Sequence, residues 1–566
     1  MKERVKNLRQ QSRNAEPRIS IERAQLVTQA YEQYAGKVST PVLRALVFKH
    51  LMERKTICVN PGELIVGERG PEPKATSTYP ELCCHSLDDF QIINDREKVS
   101  FSVSQRVREI QKEEIIPYWQ GLSIRDRLFS EMTDEWKDCY HAGIFTEFME
   151  QRAPGHTVAG DKIYKMGMLD LKRQIQKKME ELKSSTSGDK EEKLQQLEAM
   201  EICCEAIITF ARRHSEKAHR LAREEEDPQR KRELEKIAEI THRVPAHAPR
   251  TFWEALQAYW FVHLGVITEL NTWDSFCPGR LDQHLYPFYR WQMKEGELTR
   301  ADARELLGCF WVKFNNQPAP PKVGVTMQES GTYTDFANIN IGGLKPDGSD
   351  GVNEVSYMLL EVVDEMRLTQ PSSNIQVSKK SPRRFLKKAG EVIREGFGQP
   401  SVFNADAVIK ELLRQGKRIE DARCGGISGC VESGAFGREA YILTGYFNLT
   451  KILEITLRNG RDPRTEKQLG PKTGDPREFD SFQQLMDAYE KQINHFIDIK
   501  IRGNHAVEEL YAEEMPSPFL SLIVDDCIKN AQDYNAGGAR YNTNYIQGVG
   551  IGTTTDSLSA LKYHAY

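Results

Sequence analysis

The residues best suited to chemistry lie in a glycine-rich segment at 425–434. Its sequence, GGISGCVESG, places Cys430 and Glu432 two positions apart with glycines on both sides. Glycine at this density predicts a tight loop, because glycine adopts backbone conformations that other residues avoid. Residues two apart in an extended loop point to the same side. The sequence therefore predicts that the thiol of Cys430 and the carboxylate of Glu432 face one cavity.

Hydrogen-atom transfer is the chemistry that this pair suits best. A neighbouring negative charge disfavours the thiolate, so Cys430 would be a poor nucleophile beside Glu432. A neutral thiol can instead exchange a hydrogen atom while the carboxylate accepts a proton. The structural alternative, a small buried cysteine in a glycine-rich turn, stays open at this point.

A histidine stands in a second candidate segment, QRAPGHT at 151–157. Pro154 and Gly155 predict a turn that presents His156. An imidazole donates or accepts a proton near neutral pH, so His156 is a candidate general acid. A solvated or internally hydrogen-bonded loop histidine without a catalytic role is the alternative.

Two further polar segments suit the binding of a small polar substrate. Asp274 stands between two aromatic residues, a plausible place for a carboxylate to meet an ammonium group, although it could equally pair with Arg280. Ser330 and Asp335 belong to a polar loop that runs into a strand-like segment. Capping of that strand by their side chains is the structural alternative.

Composition excludes several classes of function. With 78 Lys and Arg against 82 Asp and Glu, a net charge of −4 gives no basic surface for nucleic acid or anionic lipid. The charged N-terminus lacks the apolar core of a secretory signal, and the apolar stretch 255–270 carries polar residues that suit a buried helix. Eleven cysteines without a metal-ligand pattern predict reduced thiols in the cytosol and no metal site.

The elements that must position these residues follow from periodicity and from cap residues. The pattern is mostly helical up to about residue 245, and the charged stretch 172–236 predicts a helical hairpin interrupted at 184–189. A coiled-coil arm is the alternative, although its heptads are not sustained. Thr251 and Glu254 predict a capping box that opens the apolar helix.

From residue 250 onward, helices alternate with short strands. Ser381 and Pro382 predict the N-cap and first residue of a helix that Gly396 ends. Three runs predict strands: Asn338–Ile341, Asn374–Val377 and Ser401–Phe403. This alternation predicts an α/β fold, a barrel with a helical N-terminal elaboration, and the absence of a flexible linker predicts one large domain over 1–566.

Taken together, these segments resemble the glycyl radical enzymes of the pyruvate formate-lyase superfamily. The resemblance rests on SGCVESG around Cys430, QRAPGHT around His156, WDSFCPGRLDQH at 273–284, WVKFNNQPAPPKVG at 311–324 and YNTNYIQGVGIGTTTDSLSALKY at 541–563. It extends along essentially the whole chain and is strongest to the members that dehydrate trans-4-hydroxy-L-proline. The resemblance implies a ten-stranded α/β barrel with the cysteine on a loop that reaches its centre.

The resemblance also implies a role for each candidate residue. Cys430 would become a thiyl radical that removes a hydrogen atom next to the ring nitrogen, Glu432 would be the general base, and His156 would protonate the departing hydroxide. The product would be 1-pyrroline-5-carboxylate and water. Substrate binding would fall to Asp274 on the ammonium, Ser330 and Asp335 on polar groups, and Phe148 and Tyr446 on the walls of the pocket.

The family stores its radical on a glycine in a segment of the form R-V-x-G-Y, and residues 1–566 contain no such segment. Three interpretations follow: a fragment of a longer enzyme, which we favour, a radical domain on a second polypeptide, or an inactive product. The resemblance implies no directly bound cofactor, a radical-SAM activating enzyme as partner, a homodimer, anaerobic conditions and a cytoplasmic location.

Other activities of the superfamily stay open. A diol dehydratase or a carbon–sulfur lyase would use the same radical chemistry on another substrate. Formate acetyltransferase is disfavoured, because its reaction uses two adjacent cysteines, whereas Cys430 lies between Gly429 and Val431. A chain that binds substrate without turning it over is the remaining alternative.

Overall fold

Helices and short strands alternate in the computed structural model, which describes residues 1–146, 155–184, 188–270, 276–318 and 337–566. The first half is helical: α1 (Glu3–Asn14), α2 (Glu22–Tyr34), α3 (Thr40–Arg54), α4 (Leu87–Asp95), α5 (Gln105–Ile110), α6 (Ile116–Trp119), α7 (Ile124–Glu131), α8 (Asp134–Ala142), α9 (Lys162–Lys165), α10 (Met168–Lys183), α11 (Lys190–Glu224) and α12 (Pro228–Arg243).

The predicted helical hairpin is confirmed. Helices α10 and α11 pack against each other, and α10 ends at Lys183 while α11 begins at Lys190, in agreement with the predicted interruption. Lys172 on α10 contacts Glu205 on α11 at 2.5 Å and Glu201 at 3.2 Å. Charged residues therefore line the solvent side of the hairpin, while its apolar side joins the core.

The second half contains the remaining helices: α13 (Phe252–Glu269), α14 (Leu281–Glu295), α15 (Arg300–Asn315), α16 (Glu354–Met366), α17 (Arg383–Arg394), α18 (Ala405–Arg414), α19 (Ile419–Cys424), α20 (Leu449–Thr456), α21 (Phe482–Glu514), α22 (Pro518–Ile523), α23 (Cys527–Asn530) and α24 (Ile551–His564). Thr251 caps α13 as predicted, accepting from the backbone N–H of Glu254. The Glu254 carboxylate accepts from the backbone N–H of Arg250 at 2.7 Å. In the predicted capping box it would accept from the N–H of Thr251, so this reciprocal bond is shifted by one residue.

The predicted start of α17 is wrong by one residue. Pro382 is extended and forms the N-cap, so the helix begins at Arg383. The hydroxyl of Ser381 accepts from the backbone N–H of Ser378 at 3.0 Å and closes its own turn, which diverts it from the helix. Gly396 follows the end of α17 with a positive φ of 78°, as predicted for a residue that stops a helix.

Nine strands form four sheets in the described ranges: β1 (Arg18–Ser20), β2 (Ala75–Ser77), β3 (Asn338–Gly342), β4 (Ser372–Val377), β5 (Ser401–Asn404), β6 (Gly426–Ser428), β7 (Glu432–Gly434), β8 (Glu439–Asn448) and β9 (Tyr541–Val549). The pairs β1–β2 and β8–β9 are parallel, β3, β4 and β5 form a parallel sheet in that order, and β6–β7 is an antiparallel hairpin. The three strands predicted in this half are confirmed as β3, β4 and β5.

Single bridges bring further segments beside the β3–β4–β5 sheet. Gly279 pairs with Ile339 of β3, and Cys277 pairs with Val158, both in parallel. Most of the buried apolar residues in the described ranges, from Val5 to Ala539, belong to one cluster, so both halves share a core. The fold is mixed α/β, and closure into ten strands stays a prediction. Among the described helices, none combines the length and apolar character that a bilayer span requires.

Candidate functional site

The glycine-rich segment forms the β6–β7 hairpin, with Cys430 at its tip. Gly426 pairs with Gly434, and Ser428 pairs with Glu432, which leaves residues 429–431 as the turn. Gly429 has a φ of +49°, a conformation that favours glycine. The predicted loop is therefore a turn rather than an extended segment, and the side chain of Cys430 is exposed.

The carboxylate of Glu432 folds back under this turn. Its Oε2 accepts from the backbone N–H of Cys430 at 2.9 Å and from that of Val431 at 3.0 Å. The side chain is buried while Cys430 is exposed. A buried carboxylate needs such donors, because burial of a charge without partners is costly. The turn thus holds Glu432 beside the cysteine through the backbone.

His156 completes the cluster from a segment 276 positions earlier than Glu432. Its Nδ1 lies 3.3 Å from Oε2 of Glu432, and both side chains are buried. The backbone carbonyl of His156 accepts from the Ser428 hydroxyl at 2.6 Å, and its φ is +62°. The positive φ and the anchored carbonyl aim the imidazole into the hairpin. The solvated-loop alternative for His156 is wrong, because the side chain is only 2% exposed.

Gly429 is the reason that the imidazole can come this close. A Cβ at that position would lie 2.1 Å from Nδ1 of His156 and 2.9 Å from Oε2 of Glu432. Real carbon atoms do not approach other atoms at such distances. The glycine is required both for the backbone angle and for the space that His156 fills.

Side-chain amides bind the hairpin to the parallel sheet. Asn338 Nδ2 donates to the carbonyl of Gly429 at 2.9 Å. Asn340 donates to the carbonyl of Ile427 at 2.7 Å and accepts from its N–H at 3.0 Å, as a neighbouring strand would. The sequence predicted β3 as a strand, but it gave no signal that the asparagines of β3 would bind the hairpin.

The other end of the hairpin is held by charged and aromatic residues. Arg280 is buried and donates to the carbonyls of Gly425 and Leu344, both at 2.5 Å, and burial lowers the pKa of Arg280. Tyr545 of β9 donates to the carbonyl of Ser433 at 2.7 Å, and burial raises the pKa of Tyr545. The sequence suggested Arg280 only as a possible partner of Asp274.

Tyr446 is the one remaining candidate that lies within the described residues. Tyr446 lies on β8, where its N–H donates to the Thr146 hydroxyl at 2.8 Å and its carbonyl accepts from the Thr146 N–H at 3.0 Å. Four predicted substrate-binding residues lie outside the described residues: Phe148, Asp274, Ser330 and Asp335. No set of three or more His, Cys, Asp or Glu side chains within the described ranges is arranged to hold a metal ion.

The family model of the pyruvate formate lyase-like proteins matches residues 1–566. The chain belongs to this family. The predicted resemblance is therefore confirmed.

Curated relatives and solved structures of this family align along the chain. A trans-4-hydroxy-L-proline dehydratase of Clostridioides difficile is 58% identical over 564 residues, which cover 100% of this chain and 72% of that protein. The crystal structure of a hydroxyproline dehydratase from the same organism, with trans-4-hydroxy-L-proline bound, matches with a TM-score of 0.98 at 58% identity over 100% of this chain and 72% of that one.

More distant members share the fold at lower identity. An isethionate sulfite-lyase of Oleidesulfovibrio alaskensis is 32% identical, covering 99% of this chain and 69% of that protein. A B12-independent glycerol dehydratase from Clostridium butyricum, with glycerol bound, matches with a TM-score of 0.94 at 33% identity over 100% of this chain and 71% of that one. Within one fold, the comparisons therefore include dehydratases and a carbon–sulfur lyase.

Proposed function

We propose that this chain dehydrates trans-4-hydroxy-L-proline to 1-pyrroline-5-carboxylate, as a carbon–oxygen lyase of the glycyl radical type. The observation that carries the proposal is the buried contact of 3.3 Å between Nδ1 of His156 and Oε2 of Glu432, directly beside the peptide of Cys430. It stands in a chain 58% identical over its whole length to a trans-4-hydroxy-L-proline dehydratase. An acid, a base and a thiol at one place are the groups that a radical dehydration requires.

Cys430 carries the hydrogen-atom transfer. Its exposure at the hairpin tip lets a group outside the described residues reach the sulfur. The family's glycyl radical would take the hydrogen atom of this thiol and leave a thiyl radical on Cys430. The sulfur then takes the hydrogen atom from the ring carbon next to nitrogen, and the thiol later returns a hydrogen atom to the carbon that has lost the hydroxyl.

Glu432 and His156 move the protons. A carbon radical beside nitrogen lowers the barrier to loss of the neighbouring hydroxyl, provided that an acid protonates the leaving group. His156 gives that proton, and Glu432 accepts one from the substrate. The substrate therefore loses one hydroxyl and one proton, which leave as water, and the hydrogen atom that moves through sulfur is conserved. The direct His156–Glu432 contact offers a path for the proton to return between turnovers.

Substrate recognition falls to residues named from the sequence. We propose that Asp274 holds the substrate ammonium, that Ser330 and Asp335 contact its polar groups, and that Phe148 and Tyr446 shape the pocket. The backbone of Tyr446 forms two hydrogen bonds with Thr146, one with its hydroxyl and one with its N–H, and Thr146 is close in sequence to Phe148. Replacement of Asp274 by Asn should remove the ammonium's counter-charge and abolish turnover at ordinary substrate concentrations.

The wider setting of the reaction is also proposed. Residues 1–566 would form a single catalytic domain of the pyruvate formate-lyase type, with a ten-stranded barrel closed around the hairpin. Because these residues contain no R-V-x-G-Y segment, we place the radical glycine outside them. A radical-SAM activating enzyme would install the radical on a homodimer in the cytoplasm, under anaerobic conditions.

The test is product analysis on the activated protein. The gene would be sequenced in frame beyond the codon of Tyr566, and the full product activated without oxygen and given trans-4-hydroxy-L-proline. We expect formation of 1-pyrroline-5-carboxylate, detected by mass spectrometry. Cys430→Ser should abolish it, and Glu432→Gln should lower the rate by about 10²-fold or more. Cys424→Ser, at the end of α19 in the same segment, is the matched control and should keep the rate.

Other outcomes separate the alternatives. Turnover of glycerol, propane-1,2-diol or isethionate in place of hydroxyproline would replace the proposed substrate with that of another branch. If hydroxyproline raises the unfolding temperature of the activated protein but is not turned over, the chain only binds it, and the enzyme assignment is overturned.

A further inference from the structure

The peptide bond between Gly429 and Cys430 is held at both of its edges. Its carbonyl accepts from Asn338 Nδ2 at 2.9 Å, and its N–H donates to Oε2 of Glu432 at 2.9 Å. The peptide unit is planar, so a rotation that releases one bond also turns the other group away. The sheet is thus connected to the catalytic carboxylate through a single peptide.

Because residue 429 is glycine, this peptide can rotate unless hydrogen bonds hold it. Residue 429 lacks a Cβ and has a φ of +49°, so the hairpin turn has more than one accessible peptide orientation. In the orientation observed, Cys430 and Val431 both direct their N–H groups at Glu432. In the rotated one, the peptide carbonyl would turn toward the carboxylate and repel it.

Asn338 is itself oriented by a chain of buried amides. Asn374 Nδ2 donates to Asn338 Oδ1 at 2.9 Å, and Gln376 Nε2 donates to Asn374 Oδ1 and to Asn340 Oδ1, each at 2.9 Å. With its oxygen occupied by Asn374, the amide of Asn338 must direct its nitrogen toward the hairpin. All four side chains are buried, so solvent does not compete for these bonds.

The need of buried polar groups for hydrogen-bond partners explains why these amides bind one another, but it does not explain why Asn338 directs its nitrogen toward the hairpin. An amide that only needed partners could present either end to the hairpin. Here each amide fixes the next, and the chain ends on the one carbonyl that precedes the reactive cysteine. The contact also acts on the carboxylate, through the N–H at the far edge of the same peptide.

We propose that Asn338 is a positioning residue that sets the orientation of the Gly429–Cys430 peptide and thereby holds Glu432 against His156. It acts through the backbone and makes no contact with the reacting atoms. The proposal deepens, and rests on, the dehydratase function proposed above. The proposal gives β3 a role in catalysis in addition to the roles of Cys430, Glu432 and His156.

The test combines hydrogen exchange with kinetics on the full, activated enzyme. Asn338→Asp keeps the shape of the side chain and an acceptor for Asn374 but cannot donate to Gly429. We expect the amides of Cys430 and Val431 to exchange about tenfold faster in the resting protein, because a lost hydrogen bond of ordinary strength corresponds to that factor. We expect kcat to fall about tenfold or more while KM changes less than twofold, since misplaced groups lower the rate and substrate contacts remain.

Asn535→Asp is the matched control. Asn535 is also buried and donates from Nδ2 to a backbone carbonyl, that of Met515, at 2.8 Å. The control removes the same kind of bond outside the hairpin and should leave both the exchange of 430–431 and kcat unchanged. Asn338→Leu, which introduces no charge, serves if the aspartate variant does not fold.

Each result decides the proposal. Unchanged exchange at 430–431 in a folded Asn338 variant would overturn it, and so would an equal effect of the Asn535 variant. A rise in KM with constant kcat would also overturn it, because that pattern belongs to a substrate contact. If the unsubstituted enzyme fails to dehydrate hydroxyproline, the proposed function fails, while the exchange measurement still tests the role of Asn338 in the resting chain.

Discussion

Replacement of Gly429 by alanine tests the geometry of the site, and comparison with a control glycine shows how much of the effect comes from backbone strain alone. A methyl group at this position would lie 2.1 Å from Nδ1 and 2.2 Å from Cε1 of His156, and 2.9 Å from Oε2 of Glu432. To restore an ordinary contact of 3.4 Å, the imidazole must retreat by about 1.3 Å. The hairpin cannot give way instead without breaking its bonds to the Asn338 amide and to the backbone carbonyl of His156.

The magnitude follows from two effects. A positive φ costs alanine about 1–2 kcal/mol. Overpacking adds about 1–3 kcal/mol, so we expect a loss of about 2–5 kcal/mol in the free energy of unfolding of Gly429→Ala. Because a displacement near 1 Å costs about 10²-fold in rate, kcat should fall by that factor or more.

Gly416→Ala is the matched control. Gly416 has a φ of +84°, and a Cβ there would meet nothing within 4 Å. It carries the backbone strain without the clash, so its loss of stability should be about 1–2 kcal/mol with full activity. Denaturant unfolding and the hydroxyproline assay measure both variants. Equal stability losses, or a Gly429→Ala enzyme with normal kcat, would refute the derived geometry.

Two further predictions concern stability. Burial lowers the pKa of His214 to about 3, against 6.5 for a histidine in water, so the unfolded chain binds the extra proton and stability is lost as pH falls from 6.5. Between pH 6.5 and 4.5 this proton uptake should lower the free energy of unfolding by about 2 kcal/mol. The His214→Gln variant should lack this pH-dependent loss, whereas His219→Gln, at an exposed position of the same helix, should retain it. Lys417 forms a buried ion pair of 2.7 Å with Glu439, so Lys417→Met should cost about 3–5 kcal/mol and the double variant with Glu439→Gln should recover part of it.

Denaturant unfolding over a range of pH checks both predictions. A His214→Gln protein with the same pH dependence as the unsubstituted chain would show that this histidine is not buried neutral in the folded state. For the ion pair, a double variant less stable than the sum of the two single changes would contradict the reasoning, since removal of both charges leaves none unpaired.

The sequence by itself predicted the local features correctly where short-range chemistry decides them. Strands β3, β4 and β5 were predicted from short runs between turn residues, and the interruption before α11 from a polar segment. The glycines around Cys430 predicted a tight turn, because glycine adopts the backbone angles that such a turn requires, and the function of that turn stays a prediction. The N-cap of α17 was misplaced by one residue, since the turn of Ser378 and Ser381 competes for the same hydroxyl.

The tertiary structure alone decided what surrounds the hairpin. His156 meets Glu432 across 276 positions of sequence, and Asn338 meets Gly429 across 91. No local propensity encodes such contacts, because they depend on how the sheet and the loops fold together. Hydrophobic periodicity shows which face of an element is apolar, but it does not distinguish a buried asparagine such as Asn340 from an asparagine on the surface. The types of the reactive groups are therefore fixed by the sequence, and their mutual orientation is fixed by the packing of distant segments.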